Sequence, residues 1–458
     1  MGRVRPSRRR FLASAGAFLG AAPFHALACR VAETGGTPPA AEAGASVVGY
    51  GPLGPVADGT TGLPLLLLPA GFRYVTFGWT GDPLDDGLIT PRAHDGMAAF
   101  PTAGGLVRLV RNHELRDGIA FAPRPLYDPN GGGGTTTLDF DPAAGELVSA
   151  HASLTGTAVN CAGGPTPWGS WLTCEETVLG PGGDPDYESP HGYIFEVPAD
   201  GTAEASAEPY RAMGRFVHEA VAVDPATGIV YETEDRGAAG LYRFLPNQSG
   251  NLAAGGRLEM LAIDGAPDYD TRTGQAVGTW HPVTWAPIAD PDPADIDDDS
   301  VYRQGVAGGG ATFARLEGIW HGGGRIYIVS TTGGDADAGQ VWEYDPAGER
   351  IRLLFESPGT DVLDMPDNLT VSPRGGLVLC EDGDADNYVR GLTLAGAIFP
   401  FAKNNVVLDG ERNGFAGDYR HREFAGAVYD PAGDWLFVNA QTPGITFAIT
   451  GPWGAGPL

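Results

Sequence analysis

The sequence predicts an all-β chain folded as a six-bladed β-propeller, and three observations predict it. Gly 70 and Pro 38 among 458 residues suit many short strands joined by tight turns. No long run reads at helical period beyond the first 28 residues. A strand–turn–strand unit whose second strand ends in acids recurs six times, at about 45–60 residues, the spacing of four-stranded blades. A sandwich would show similar strands but would not explain the repeat.

In chain order, residues 1–28 read as a targeting segment. Ser7-Arg8-Arg9-Arg10-Phe11-Leu12 matches the twin-arginine pattern, an apolar run extends from Leu12 to Phe24, and Ala26-Leu27-Ala28 resembles a cleavage site. The apolar run is too short to span a bilayer permanently. Export in the folded state by the twin-arginine machinery is expected, with a periplasmic or extracellular destination. Cys29 raises lipoprotein anchoring, which Ala26 fits poorly. Residues 29–60, rich in Ala, Gly, Pro and Thr, read as a linker or an edge-covering arm, and 61–458 as the propeller domain.

The first copy of the unit is read from Leu106–His113 onward and the second from Asn160 to Val197. The other four start at Ala220, Gly318, Asn368 and Ala425. Turns such as Asp224-Pro225-Ala226-Thr227-Gly228 connect hairpins through the fixed φ of Pro and the permissive φ of Gly. Residues 264–312 break the period, and the aspartates between Asp290 and Asp299 there read as a solvated acidic insertion rather than a calcium loop.

Asp and Glu number 57 against 29 Lys and Arg, a net charge of -28. That field repels nucleic acid and anionic membranes and suits hard cations, which take oxygen ligands. The four cysteines match no zinc ribbon or CxxC redox spacing. With Cys29 beside a flexible tail, three remain, so at least one is a thiol or a metal ligand. Cys161, in the Gly-rich turn of Asn160–Gly164, is the best candidate, whereas Cys174 and Cys380 read equally as small buried hydrophobes.

In a propeller, acids at equivalent places in successive blades converge although distant in sequence. Glu114, Glu175, Glu176, Glu219, Glu232, Glu234, Glu317, Glu381 and Asp382 would gather near the axis. Carboxylates so crowded in a low dielectric stay ionised only if cations neutralise them. Oxygen ligands favour Ca²⁺ or Mg²⁺, one thiolate adds a transition metal, and only nine histidines argue against a purely zinc site. Taken singly, His113 and His218 read as hydrogen-bonded core residues, and Asn112 and Asn368 as turn caps.

These residues resemble the PhoX-type alkaline phosphatases of bacteria. The likeness rests on the leader, Arg111-Asn112-His113-Glu114, Asn160-Cys161-Ala162-Gly163-Gly164, Thr173-Cys174-Glu175-Glu176, Gly214-Arg215-Phe216 with His218-Glu219, Arg315-Leu316-Glu317-Gly318 and Pro366-Asp367-Asn368. The resemblance implies an axial centre of two ferric ions with a bridging oxo group and several calcium ions, hydrolysing phosphate monoesters outside the cytoplasm. It implies Cys161 as an iron ligand and a catalytic residue, and Glu114, Glu175, Glu176, Glu232, Glu317 and Glu381 as ligands shared between Fe³⁺ and Ca²⁺. Glu232 is chosen there over Glu219 and Glu234. Arg315, as the catalytic cation, and Asn112 would receive the substrate phosphate. The expected partner is a small phosphate ester, and a monomer is expected.

Two departures stand out: the chain is short for that family, and Lys403 is its single lysine. If further basic groups are needed on the phosphate, Arg390 or Arg422 would supply them. No Ser-His-Asp arrangement or nucleophile elbow stands out, which disfavours a protein nucleophile. Two other readings remain open. A calcium-dependent propeller esterase or lactonase would hold calcium without iron and would not depend on Cys161. A non-catalytic exported propeller would gain stability from calcium but turn over no ester.

Overall fold

The computed structural model describes residues 48–200, 204–294 and 300–458. The predicted leader, Cys29, most of the predicted arm and residues 295–299 of the acidic insertion lie outside them. Antiparallel strands form six blades spread over five sheets, and a further two-stranded sheet pairs Val407–Asp409 with Ala416–Asp418. Blade 1 comprises His94–Pro101, Val107–His113, Gly133–Asp141 and Glu146–Thr157, and blade 2 the three strands Asn160–Pro165, Ser170–Glu175 and Ile194–Pro198. Blade 3 runs through His218–Val223, Val230–Glu234, Leu241–Pro246 and Gly256–Ile263. Blade 4 holds Leu316–Gly322, Arg325–Ser330, Gln340–Asp345 and Arg350–Glu356. Blade 5 holds Pro366–Val371, Leu377–Glu381, Tyr388–Leu392 and Ile398–Asn404. Blade 6 takes Phe424–Tyr429, Leu436–Ala440 and Ile445–Thr450 from the C-terminal end and Arg73–Phe77 from the N-terminal side.

The first strand of each blade packs against the first strands of its two neighbours, closing a ring in which blade 6 meets blade 1. Because blade 6 draws strands from both ends of the described chain, the ring is closed by hydrogen bonds. Two edges are covered. Leu53–Val56 and Leu66–Pro69 extend blade 5 through Leu66 opposite Asn404, placing strand structure inside the predicted arm. Trp280–Pro287, in the insertion, pairs with both Gly256–Ile263 and Arg350–Glu356 and joins blades 3 and 4 into one sheet. That insertion also carries an α-helix, Ser300–Ala307, which the sequence reading did not expect.

Alternating apolar residues on each strand meet those of the next blade, giving a separate buried cluster at each of the six blade interfaces. At the closure between blades 6 and 1, Phe77, Phe140 and Phe437 interlock, with Phe140 and Phe437 centroids 5.2 Å apart and nearly perpendicular. Phe437→Ala is expected to lower the unfolding free energy by about 3–5 kcal/mol, read by chemical denaturation. The Asp224 turn forms as expected. Gly228 takes φ 76 and donates to the Asp224 carbonyl at 2.8 Å, while the Asp224 carboxylate accepts from Ala226 and Thr227.

One placement differs from the sequence reading in a way that matters for the site. The sequence pattern makes Leu106–His113 the opening strand of its unit, but Val107–His113 is the second strand of blade 1, and the first is His94–Pro101. The run His94-Asp95-Gly96-Met97-Ala98 has no clean period-2 alternation, because every one of its residues is buried.

Candidate metal centre

Two structural repeats, each present in all six blades, build the centre. The first is a β-bulge near the start of every first strand, where three residues step past two on the partner. In blades 1 to 5 the residues left unpaired are Asp95-Gly96, Cys161-Ala162, Glu219-Ala220, Glu317-Gly318 and Asp367-Asn368. Bulges re-aim side chains, and here each frees one ligand-type side chain from the ladder. Its follower is small or polar because neighbouring first strands converge. A Cβ on Gly96 would lie 2.6 Å from the Ala162 Cα, and one on Gly318 2.7 Å from the Leu369 nitrogen. In blade 6 the bulge is displaced by one residue and frees Gly426-Ala427.

The second repeat is the residue directly after each second strand: Glu114, Glu176, Asp235, Thr331, Asp382 and Gln441. Each donates its backbone N–H to the carbonyl of the residue just before the same blade's first strand, at 2.8 to 3.3 Å. Those acceptors are Ala93, Val159, Val217, Arg315, Met365 and Glu423. Ala93, Val159, Arg315 and Met365 sit at φ 55, 51, 46 and 47, a left-handed conformation costly for side chains with a Cβ. The strain recurs where the loops turn into the centre.

A cavity of about 120 Å³ lies at the meeting point. All six residues of the second repeat line it, together with Cys161, Glu317 and Asp367 from the bulges and Arg315 and Glu423 from the positions before the first strands. Ligand atoms fall within 4.8 Å of one another in three trios: Cys161, Glu176 and Glu219; Asp95, Glu114 and Glu423; Glu219, Glu317 and Asp367. Both carboxylate oxygens of Glu219 are buried without a hydrogen-bond partner among the described residues. Gln441 bridges two acids, donating to Glu114 at 2.5 Å and to Asp95 at 3.2 Å.

Burial and mutual repulsion push these acids up. Glu114 and Asp367 rise to about 7, through desolvation first and neighbouring carboxylates second. Desolvation, with the neighbouring acids behind it, also raises Asp95, Glu176, Glu219, Glu317 and Glu423 well above the carboxylate range. Burial likewise raises the Cys161 thiol. Arg315 is the cation of the wall. Its guanidinium forks onto Asp235 at 2.8 and 3.0 Å and reaches Glu317 at 2.6 Å, and Glu317 is the main cause that raises its pKa. Nη1 makes no hydrogen bond among the described residues.

Of the residues singled out from the sequence, Glu114, Cys161, Glu176, Arg315, Glu317 and Asp382 line this cavity, and Glu219 belongs to two of its trios. Glu175, Glu232, Glu381 and Asn112 do neither. Glu175 and Glu381 are last in their strands, one residue before the cavity-lining acid, so they face the other way and tie down the loop to the third strand. Glu175 accepts from the Ala158, Gly192 and Tyr193 amides and from buried His191 at 2.6 Å. Glu381 accepts from the Asp364 and Tyr388 amides and from Arg390. Glu234 does the same in blade 3, accepting from the Gly240 amide and the Tyr242 hydroxyl.

Glu232 lies buried among residues packed between blades 2 and 3, 3.6 Å from the His218 Nδ1, and in blade 3 it is Glu219 that belongs to the trios. The Asn112 amide is saturated, donating to the Cys161 and Ala162 carbonyls and accepting from Trp171 and Thr173. It holds the Cys161 backbone in place rather than facing a substrate. Asp95, Glu423 and Gln441 are not singled out by the sequence, while Asp235 and Asp367 stand in its recurring acidic motifs without an assigned ligand role. Five of the six first strands carry Asp, Glu or Cys as their second residue, a signal that would have found Asp95 and Asp367.

The profile described as "Alkaline phosphatase PhoX" matches residues 48–130 and 131–444. The chain belongs to the PhoX family of alkaline phosphatases. Membership makes it a metal-dependent phosphomonoester hydrolase by class. Among solved structures, Pseudomonas fluorescens PhoX in complex with vanadate, a transition state analogue, superposes with TM-score 0.64 at 18% identity, over 88% of this chain and 99% of that one. This agrees with the PhoX propeller fold. The gluconolactonase XC5397 from Xanthomonas campestris (TM-score 0.43, 13% identity, 89% of this chain and 99% of that one) is more distant. So is virginiamycin B lyase from Staphylococcus aureus (0.40, 11%, 83% and 99%). No curated protein matches the sequence.

Proposed function

We propose that the protein is an exported phosphatase that hydrolyses phosphate monoesters at an iron and calcium centre on the propeller axis. The observation that carries this reading is the convergence of both six-fold repeats on one small cavity with Arg315 in its wall. The donor set fits such a group. Carboxylates are hard ligands suited to Ca²⁺ or Fe³⁺, and a single thiol beside them favours a transition metal. The orphaned Glu219 oxygens and the upward-shifted acids describe a site that cations would relieve. Cys161, Glu176 and Glu219 would hold iron, and the other two trios calcium.

When bound, the cations reverse the local sign so that a phosphate dianion is attracted, and they act as Lewis acids on its oxygens. The chain's own residues do the rest. Arg315, fixed by its fork to Asp235 and its contact with Glu317, presents Nη1 to the phosphoryl group and stabilises charge developing there. Gln441 keeps Glu114 and Asp95 at fixed separation. Cys161 is kept in register by the Asn112 strut. That P. fluorescens PhoX takes vanadate as a transition state analogue agrees with this reading.

Protein folded in its host should contain both iron and calcium by elemental analysis and hydrolyse p-nitrophenyl phosphate. Cys161→Ala should lose the iron. Iron retained in that variant overturns its assignment as a ligand, and calcium without iron in the parent favours an esterase or lactonase type of centre.

A further inference from the structure

The wall of the axial cavity does not carry its charge evenly around the ring. Each blade contributes three positions: the residue before its first strand, the freed bulge residue, and the residue after its second strand. With the acids ionised and the Cys161 thiol neutral, blades 1, 3 and 5 bring two negative charges each at these positions, and blades 2 and 6 bring one each. Blade 4 alone is neutral, because Arg315 offsets Glu317 and Thr331 carries no charge.

Thr331 is the exception within its repeat. Its counterparts are four acids and Gln441, and Gln441 is itself hydrogen-bonded to Glu114 and Asp95. Thr331 is buried, lines the cavity, and donates its backbone N–H to the Arg315 carbonyl at 2.9 Å, so it stands next to the cation. Its hydroxyl donates to the Pro366 carbonyl, which leaves no proton for a ligand. What Thr331 brings to the cavity is therefore the absence of a charge. The same position in blades 3 and 5 is an aspartate, Asp235 and Asp382. A third one here would add a carboxylate to the wall around Arg315, whose Nε and Nη2 already serve Asp235 and Glu317. In a cavity of about 120 Å³ there is little water to screen such a charge.

We propose that the phosphoryl group lands on the blade 4 side of the cavity, and that Thr331 is a specificity-determining residue there. By keeping the one neutral sector neutral, it leaves the Nη1 of Arg315 open to a doubly charged anion, where an acid would repel it. The identity of the anion rests on the phosphatase reading. The landing side and the reason for a threonine at this place do not follow from that reading.

The test uses inorganic phosphate as the probe, by titration calorimetry on protein purified from its host with calcium present. Thr331→Asn and Thr331→Asp both lose the hydroxyl bond to Pro366 and are nearly equal in size, so they differ in one charge. T331D should bind phosphate about 10–100-fold more weakly than T331N, the effect of one like charge across a few ångströms of poorly hydrated space. Thr331→Val, which keeps the shape and removes the hydroxyl, should bind within about threefold of T331N. Equal affinities in T331D and T331N overturn the proposal, whether or not elemental analysis finds an extra cation in T331D. Should T331D fail to fold, the neutral variants decide: a tenfold loss against the parent in both T331N and T331V shows that the hydroxyl matters and not the missing charge, which also overturns it, while retained binding in both supports it. A parent that binds no inorganic phosphate overturns the proposal, whereas phosphate binding without p-nitrophenyl phosphate turnover sinks the hydrolase reading alone.

Discussion

Replacing Arg315 by alanine is expected to lower kcat/KM for p-nitrophenyl phosphate by about 10²–10³-fold, the usual loss when one preorganised donor to developing charge is removed. The fall should be mainly in kcat, because the charge that Arg315 meets grows as the phosphoryl group transfers. Arg315→Lys should recover little of it. The present geometry uses the planar fork, Nε and Nη2 on Asp235 with Nη2 shared to Glu317, and an ammonium, whose three donors leave one nitrogen, cannot span both acids and reach the phosphoryl group from the same point. Asp235→Asn keeps the shape of that anchor and removes its charge, so a smaller loss, about tenfold, should appear as a mispositioned guanidinium. Wild-type kinetics in Arg315→Ala would show that the cation merely neutralises Asp235 and Glu317.

The left-handed backbone at Arg315 belongs to the same argument. Four of the six residues before a first strand take this conformation, and only Arg315 among those four is charged. The repeat therefore supplies a strained but fixed platform in four blades, and blade 4 carries its cation there. A side chain launched from an over-determined backbone loses less freedom when it meets a substrate.

The propeller was legible because its turn chemistry and spacing are local features of the sequence. The phase of the first copy was not. Residues His94 to Ala98 are all buried and lack alternation, so the sequence pattern places the start of the unit one strand late and passes over Asp95. The site was legible in outline, since Glu114, Cys161, Glu176, Arg315 and Glu317 do share one cavity. Which acid of a pair enters the cavity is a matter of side-chain parity. In Glu175-Glu176 and Glu381-Asp382 the composition is symmetric, and only the strand's end decides that the second residue faces the axis while the first caps a loop. Glu232 shows the opposite difficulty. An acid buried among apolar neighbours, with desolvation alone raising its pKa, is a rare event that no pattern in the sequence announces.

Stripping the cations should unfold the protein more easily, and the effect should grow with pH. In the chelated chain Glu114 and Asp367 titrate at about 7, against ordinary values of 4.5 and 3.8. Folded-state values above the unfolded ones mean that the native form binds more protons across that window, so stability falls as pH rises from about 4 through 7. Each such group costs on the order of 3 kcal/mol once pH exceeds both of its values, with the coupled acids not simply additive. Asp95, Glu176, Glu219, Glu317 and Glu423 push in the same direction. Thermal melts in EGTA plus an iron chelator should therefore show Tm dropping steeply between pH 5 and pH 8, while protein replete with metal stays nearly flat there. Restoring calcium at pH 8 should recover much of the loss, because a bound divalent ion compensates the charge that protons supply at pH 5. A chelated protein whose Tm is insensitive to pH across this range would mean that the crowded carboxylates are neutralised by something within the chain, and the metal assignment would fall with that result.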